Sequence, residues 1–261
     1  MNVISKDGLR YYQFEEFQKF PIVHAFFSRL GGVSAEPFDS LNIGGNLGDQ
    51  DENIIKNKKK MFNMLNISFE SQFDVWQVHG THVAIPDRPR KPLEPYVQAD
   101  AIITDKSEFT LLMRFADCVP ILLYDPRKHI VGIAHAGWLG TVKNTVNAAV
   151  QHMVNMFAVE PADIVAGIGP SIGPDHYTIR EDVVMAIKNR FGDNWKKMIQ
   201  FEDGKIYFNL WKANEINLQE SGVGQIEIAK TCTACHTEEW FSHRAESGKT
   251  GRFASIIKLL S

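Results

Sequence analysis

The sequence predicts an α+β fold. Short segments rich in β-branched and aromatic residues, bounded by Gly, Pro or Asp, read as strands. Fewer segments carry an apolar stripe at helical spacing. The two kinds do not alternate strictly, as they would around a doubly wound sheet. No composition break, internal repeat, low-complexity tract or Ser/Gly linker divides the 261 residues, so residues 1–261 read as one domain.

In chain order, 22–28 opens the strand set. Residues 51–65 follow as a helix that begins with acidic residues and sets Ile54, Met61 and Leu65 on one face. A strand is expected at 73–78, and the Pro-rich stretch 86–95 reads as a loop. Strands at 101–104, 110–115, 119–124 and 130–135 crowd into a short span, with Asp125-Pro126 as a turn signal between the last two. Residues 140–157 are expected as one helix, with Val142, Val146, Ala149, Val150, Met153 and Phe157 at steps of three and four. Strands at 164–168, 225–229 and 253–259 and helices at 181–191 and 210–220 complete the reading. The Lys-rich run 56–60 is read as the solvated face of its helix.

Composition excludes several classes. Hydrophobic residues make up 44% and charged residues 23%, as in globular proteins. The longest apolar runs are too short to span a bilayer as a helix. A net charge of -3 argues against a nucleic-acid partner held by phosphate contacts. The N-terminus shows no basic stretch followed by an apolar one, and the 3 cysteines are few and odd in number. A reducing, cytoplasmic setting is therefore expected rather than a disulfide framework.

The residues able to do chemistry sit at predicted strand ends. Cys118 lies in Ala116-Asp117-Cys118-Val119-Pro120, His135 in Ala134-His135-Ala136-Gly137-Trp138, and His79 in Val78-His79-Gly80-Thr81-His82. Two His and one Cys plus an open position are the composition of a catalytic zinc site. Taken singly, each has a plainer reading, a small buried thiol or a satisfied polar ring. If 119–124 and 130–135 pair as a hairpin, their outer ends are expected to lie some distance apart.

Other strings point elsewhere. Cys232-Thr233-Ala234-Cys235-His236 matches a c-type haem attachment pattern, but no export signal accompanies it. It is also half a zinc knuckle without a second CxxC, and it reads as a reduced pair at a strand end, with Thr233 or His236 near a site. Gly169-Pro170-Ser171-Ile172-Gly173 matches a nucleophile elbow, yet no helix follows at once, so a turn is expected. The stretch from Asp49 lacks the Gly and Glu of a calcium loop. Arg29, Arg244 and Arg252 lie near turn glycines or a histidine, settings that suit anion recognition.

In order, Ser28-Arg29-Leu30-Gly31-Gly32-Val33-Ser34, Ser40-Leu41-Asn42, Gln77-Val78-His79-Gly80, Ala116-Asp117-Cys118-Val119-Pro120, His135-Ala136-Gly137-Trp138, Gly169-Pro170-Ser171-Ile172-Gly173 and Thr250-Gly251-Arg252 resemble the laccase-domain, YfiH-like family of purine nucleoside phosphorylases. The resemblance implies an α+β fold with a mixed β-sandwich core flanked by helices. It implies zinc at His79, Cys118 and His135, with Asp117 beside them in catalysis and His82 as a second proton-shuttle candidate. Arg29, Asn42, Gln77, Arg244 and Arg252 become the expected substrate contacts, with Arg29 and Arg252 as phosphate candidates. It implies phosphorolysis of adenosine, inosine, guanosine and methylthioadenosine, and deamination of adenosine. Leu139 and Ala245 stand where the family usually carries arginine, which bears on phosphate capture. The multicopper reading fails on residues, because neither His-x-His nor His-Cys-His occurs; copper at a His/Cys site in vitro stays open.

Two other readings stay open at this point. Cys118 could serve as the nucleophile of a Cys-His hydrolase or deamidase, with His135 or His79 as base. The chain could also be a binding protein with a degraded site. Monomer and homodimer are both compatible with the sequence.

Overall fold

Every residue in strands 119–125 and 130–136 is buried, so these strands need cover on both faces. The computed structural model, which describes residues 1–90 and 94–260, shows how that cover is built. Strands and helices are numbered in chain order. One six-stranded sheet runs β1 (Asn2–Lys6), β2 (Leu9–Gln13), β3 (Ile22–Phe27), β15 (Phe253–Leu259), β7 (Thr110–Phe115) and β4 (Gln72–Asp74). A second runs β14 (Gln225–Ile228), β10 (Val165–Ile168), β8 (Val119–Asp125), β9 (Ile130–Ala136), β6 (Ala101–Thr104) and β5 (Val83–Ala84). A small third sheet holds β11 (Thr178–Ile179), β13 (Lys205–Phe208) and β12 (Ile199–Glu202). The helices are α1 (Asp51–Met64), α2 (Trp138–Lys143), α3 (Thr145–Phe157), α4 (Glu181–Phe191) and α5 (Leu210–Glu220).

Side chains alternate across a strand, and the cores follow that alternation. Leu122, Tyr124, Val131 and Ile133 meet Phe26, Leu111, Met113 and Phe253 of the first sheet in one core. Ile121, Leu123, Ala134 and Ala136 pack against Val146, Val150, Ile187 and Leu210 of the helices in another. On the far side, Ala25, Phe27 and Ile256 are covered by Met61 and Phe62 of α1. Parallel pairs (β4 with β7, β10 with β14, β5 with β6) interrupt otherwise antiparallel sheets. The result is the expected mixed β-sandwich between helical layers.

Four local expectations are corrected. The 73–78 strand shrinks to β4, after which the chain turns to carry His79 away. The single helix expected from residue 140 begins at Trp138 and breaks at Asn144, whose φ of 63° ends α2 while its side chain caps α3 by accepting from Asn147 N. The lysine run is not wholly solvated: Lys58 is buried and pairs at 3.1 Å with Asp74, which Arg90 and Arg114 also approach. Strands β1, β2, β5 and β11 to β13 carry too little buried apolar pattern to be read in advance. Within the loop expected at 86–95, residues 91–93 lie outside the described residues. Among the described residues no helix is long and apolar enough to cross a membrane.

Candidate functional site

An antiparallel hairpin places the start of its first strand beside the end of its second. In β8 and β9 the register pairs Val119 with Ala136 and Pro120 with His135. Cys118, one residue ahead of β8, therefore lies next to His135, and the separation expected for the hairpin ends does not occur. Strand β6 adds the third arm. Ala101 pairs with Ala134, and His135 N donates to Asp100 O at 2.8 Å.

The buried Asp100 carboxylate then organises the site. Its Oδ1 accepts from His135 Nδ1 at 2.8 Å and from His79 N at 3.0 Å. Its Oδ2 accepts from Val78 N at 3.2 Å and Gly80 N at 2.6 Å. Three successive amides on one carboxylate hold His79 in the left-handed region, at φ 56°. Burial pushes the Asp100 pKa up, but the bonds from His135 and these amides outweigh it, so the group stays ionised well below neutrality.

Ligand atoms of His79, Cys118 and His135 all lie within 4.8 Å of one another. The Sγ of Cys118 stands 3.9 Å from His79 Nε2. Zinc bond lengths in a tetrahedron put neighbouring donors roughly 3.3–3.8 Å apart, so the residues fit such an ion after a small contraction. Asp100 occupies Nδ1 of His135 and leaves Nε2 as the ligand atom, the usual carboxylate–histidine arrangement behind a metal. Burial raises the Cys118 thiol, yet the charge and hydrogen bonds of His135 and His79 bring it down to about 6. Burial lowers His135, while Cys118 and Asp100 carry it up to about 9. Without a metal the two form a thiolate–imidazolium pair. Gly137 closes the site from below: a Cβ there would lie 2.8 Å from Cys118 Sγ and 3.1 Å from His79 Cδ2.

Asp117, next to the thiolate, also has positive φ, at 80°. Thr233 Oγ1 and Ser242 Oγ each donate to its Oδ1 at 2.7 Å, and Arg244 N donates to Oδ2 at 2.6 Å. Its carboxylate is thereby committed to holding the strand crossover. Arg244 reaches Thr178 with Nη1 and covers the Tyr177 ring at 5.0 Å. Arg252 bonds the carbonyls of Thr250 and Gly251 through Nη1 alone, while Cys118 and Asp117 act on its charge. Burial raises the Tyr177 pKa, and the charges of Cys118 and Asp117 raise it further, so its hydroxyl stays protonated.

The other expected contacts belong to the framework. The guanidinium of Arg29 bonds Asp39 O, Asp39 Oδ1, Thr237 O and Glu246 Oε1 and lies over Phe241. That geometry gives no support to a phosphate role. Asn42 accepts from Gly44 N and Arg252 N and donates to Asp49, and Gln77 clasps both backbone groups of Arg114. His82 is exposed and lines a separate cavity with Phe73 and Pro86. Ser171 is buried and accepts from Trp211 Nε1, as a turn residue and not an elbow nucleophile. Asp100, Gly137 and Tyr177 were missed in the sequence. An acidic residue before a strand is an ordinary turn signal, and nothing local marks the other two.

The strings, the sandwich and this cluster can be set beside known proteins. Residues 23–260 match the family described as multi-copper polyphenol oxidoreductase laccase. The chain belongs to this family. It is 35% identical over 244 residues to the purine nucleoside phosphorylase YlmD of Bacillus subtilis, covering 90% of this chain and 88% of that protein. It is 32% identical over 237 residues to the purine nucleoside phosphorylase YfiH of Escherichia coli, covering 89% and 92%. A crystal structure of YlmD from Geobacillus stearothermophilus superposes with a TM-score of 0.92 at 30% identity, covering 99% and 98%. That of the hypothetical protein YfiH from Bacillus licheniformis gives 0.90 at 33%, covering 97% of each chain. In this laccase-domain family member, the cluster of His79, Cys118 and His135 supplies one sulfur and two nitrogens.

Proposed function

We propose that the chain, acting as one domain over residues 1–261, is a zinc-dependent purine nucleoside phosphorylase. Its substrates are adenosine, inosine, guanosine and methylthioadenosine together with phosphate, and it also deaminates adenosine. The carrying observation is the convergence of His79, Cys118 and His135 on one point, braced by Asp100 and flanked by Arg244 and Arg252. The names printed for the relatives support the reaction class. A zinc ion held by the three residues supplies Lewis acidity and can acidify water. Copper outranks zinc at such N/S sites, so copper loading is expected when copper is supplied in vitro.

In phosphorolysis a phosphate oxygen bonds to C1′ as the C1′–N9 bond breaks. The electron pair passes to the purine, which must be protonated or hydrogen-bonded. Arg252 has Nε and Nη2 without a hydrogen-bond partner among the described residues, and with Arg244 it would hold the phosphate trianion or dianion by charge-assisted bonds. Tyr177, kept protonated, would donate a hydrogen bond to the substrate. Asp117 fixes the Arg244 backbone and the thiolate-bearing crossover, so its part is positioning.

The test incubates metal-quantified protein with adenosine, with and without phosphate. Adenine plus ribose 1-phosphate indicates phosphorolysis, and phosphate-independent inosine indicates deamination. Cys118→Ala is expected to lose this zinc and all turnover while keeping its fold. Full zinc occupancy in that variant would refute the ligand assignment. One observation favours a second reading: Cys118, His135 and Asp100 also form a Cys-His-Asp array. Alkylation of Cys118 by iodoacetamide in zinc-replete protein would select that hydrolase reading, because a zinc-bound thiolate is a poor nucleophile. No turnover of any nucleoside by zinc-loaded protein would point to a binding protein.

A further inference from the structure

A second donor cluster lies apart from the first, where the loop after β10 meets the loop after β14. Asp175, His176, Cys232 and Cys235 bring a carboxylate oxygen, a ring nitrogen and two sulfurs within 4.8 Å of one another. Both cysteines are free thiols. We propose that these four residues form a second metal centre, a structural zinc site separate from the proposed catalytic one.

The distances support an ion at the centre. His176 Nδ1 stands 3.0 Å from Asp175 Oδ2, 3.4 Å from Cys235 Sγ and 3.9 Å from Cys232 Sγ, and Cys235 Sγ is 3.3 Å from Asp175 Oδ2. Tetrahedral zinc with ordinary Zn–S and Zn–N/O bonds needs neighbouring donors roughly 3.3–3.8 Å apart. Four protein ligands close the coordination sphere, as in structural rather than catalytic zinc sites.

The surroundings are built for it. Gly173 N donates to the buried Cys232 Sγ at 3.1 Å, an N–H···S bond that favours thiolate over thiol. A Cβ on Gly173 would lie 2.5 Å from Asp175 Oδ1 and 3.1 Å from Cys232 Sγ, so only glycine lets the two loops close. Backbone bonds from Ser171 N to Thr231 O and from Thr233 N to Ser171 O hold the loops in register. The CxxC pair is half of a metal site, and the fold supplies the other half from Asp175 and His176, more than fifty positions earlier in the chain.

Its position explains its use. Thr233, between the two cysteines, donates to Asp117, the neighbour of Cys118. Tyr177, next to His176, faces the first cluster. An ion here would clamp two loops that shape the substrate cleft without touching the reacting atoms.

The test is metal stoichiometry on the reduced, folded chain, measured by mass spectrometry after zinc loading and gel filtration. Wild type is expected to retain two zinc ions, and both Cys118→Ala and the Cys232→Ser/Cys235→Ser pair one each. Cobalt(II) added to metal-stripped Cys118→Ala should give a thiolate-to-cobalt absorption band, and His176→Gln in that background should weaken cobalt binding at least tenfold. His176→Gln spares both sulfurs and serves if the double serine variant does not fold. A single zinc abolished by Cys118→Ala overturns this proposal and leaves the first site standing. A single zinc that survives Cys118→Ala and is lost with the cysteine pair refutes the first site and upholds the second. Absence of the cobalt band in reduced Cys118→Ala, or a Cys232–Cys235 disulfide as the only state recovered after reduction and zinc loading, also overturns it.

Discussion

Replacing Asp100 by Asn tests whether one buried carboxylate sets the whole site. An Asn retaining its oxygen toward His135 Nδ1 and His79 N keeps the 2.8 and 3.0 Å bonds. Its NH2 group then faces Val78 N and Gly80 N, donors that Oδ2 accepted from at 3.2 and 2.6 Å. Each charge-assisted bond lost is worth about 1.5–3 kcal/mol, which gives an upper limit near 3–6 kcal/mol for a rigid loop. The loop is not rigid, because Val78 and His79 are exposed and their amides can turn to water. The part expressed at the metal is therefore expected near the 10- to 100-fold loss typical of a ligand's outer partner, about 1.4–2.7 kcal/mol. The assay is zinc competition against a chromophoric chelator, with circular dichroism to show that the variant is folded. A zinc Kd changed less than about twofold in folded Asp100→Asn would refute the claim that Asp100 preorganises His79 and His135.

Three further outcomes are expected. Gly137→Ala should weaken zinc binding roughly tenfold or more, because its Cβ would press on Cys118 Sγ at 2.8 Å, and unchanged affinity would show that the helix start yields freely. His24 is buried, its Nε2 accepts from Phe14 N, and burial lowers its pKa to about 3. The unfolded chain binds a proton below about pH 6.5 that the folded chain refuses, so stability is full above that pH and falls by up to about 1.4 kcal/mol per unit toward pH 3; urea unfolding at pH 7 and 4.5 should show a flatter dependence in His24→Gln, and equal slopes would refute the assignment. Leu139, partly buried in the first turn of α2, sits two residues from Gly137, and Leu139→Arg should lower the apparent phosphate KM roughly threefold to a hundredfold if the guanidinium makes one bond worth about 1–3 kcal/mol. An unchanged phosphate dependence in folded, zinc-loaded variant would mean that position 139 only packs.

The sequence by itself determined the elements whose burial is written in local pattern. Strands β6 to β9 and β15 carry continuous apolar runs, and α3 and α4 carry stripes at helical spacing, so their type follows from neighbours within a few residues. Chemistry-bearing side chains at strand ends, His79, Cys118 and His135, were legible for the same reason. Only the tertiary structure decided which of them meet. The hairpin register joins Cys118 to His135, and β6 pairing carries Asp100 under both histidines, facts of hydrogen-bond register that no local window contains. The arginines divide on the same ground: Arg29 looks like Arg252 in sequence, but partners about two hundred positions away, Thr237 and Glu246, occupy its donors. The cysteine pair completes the case, because Asp175 and His176 become its neighbours only when parallel β10 and β14 set their following loops side by side.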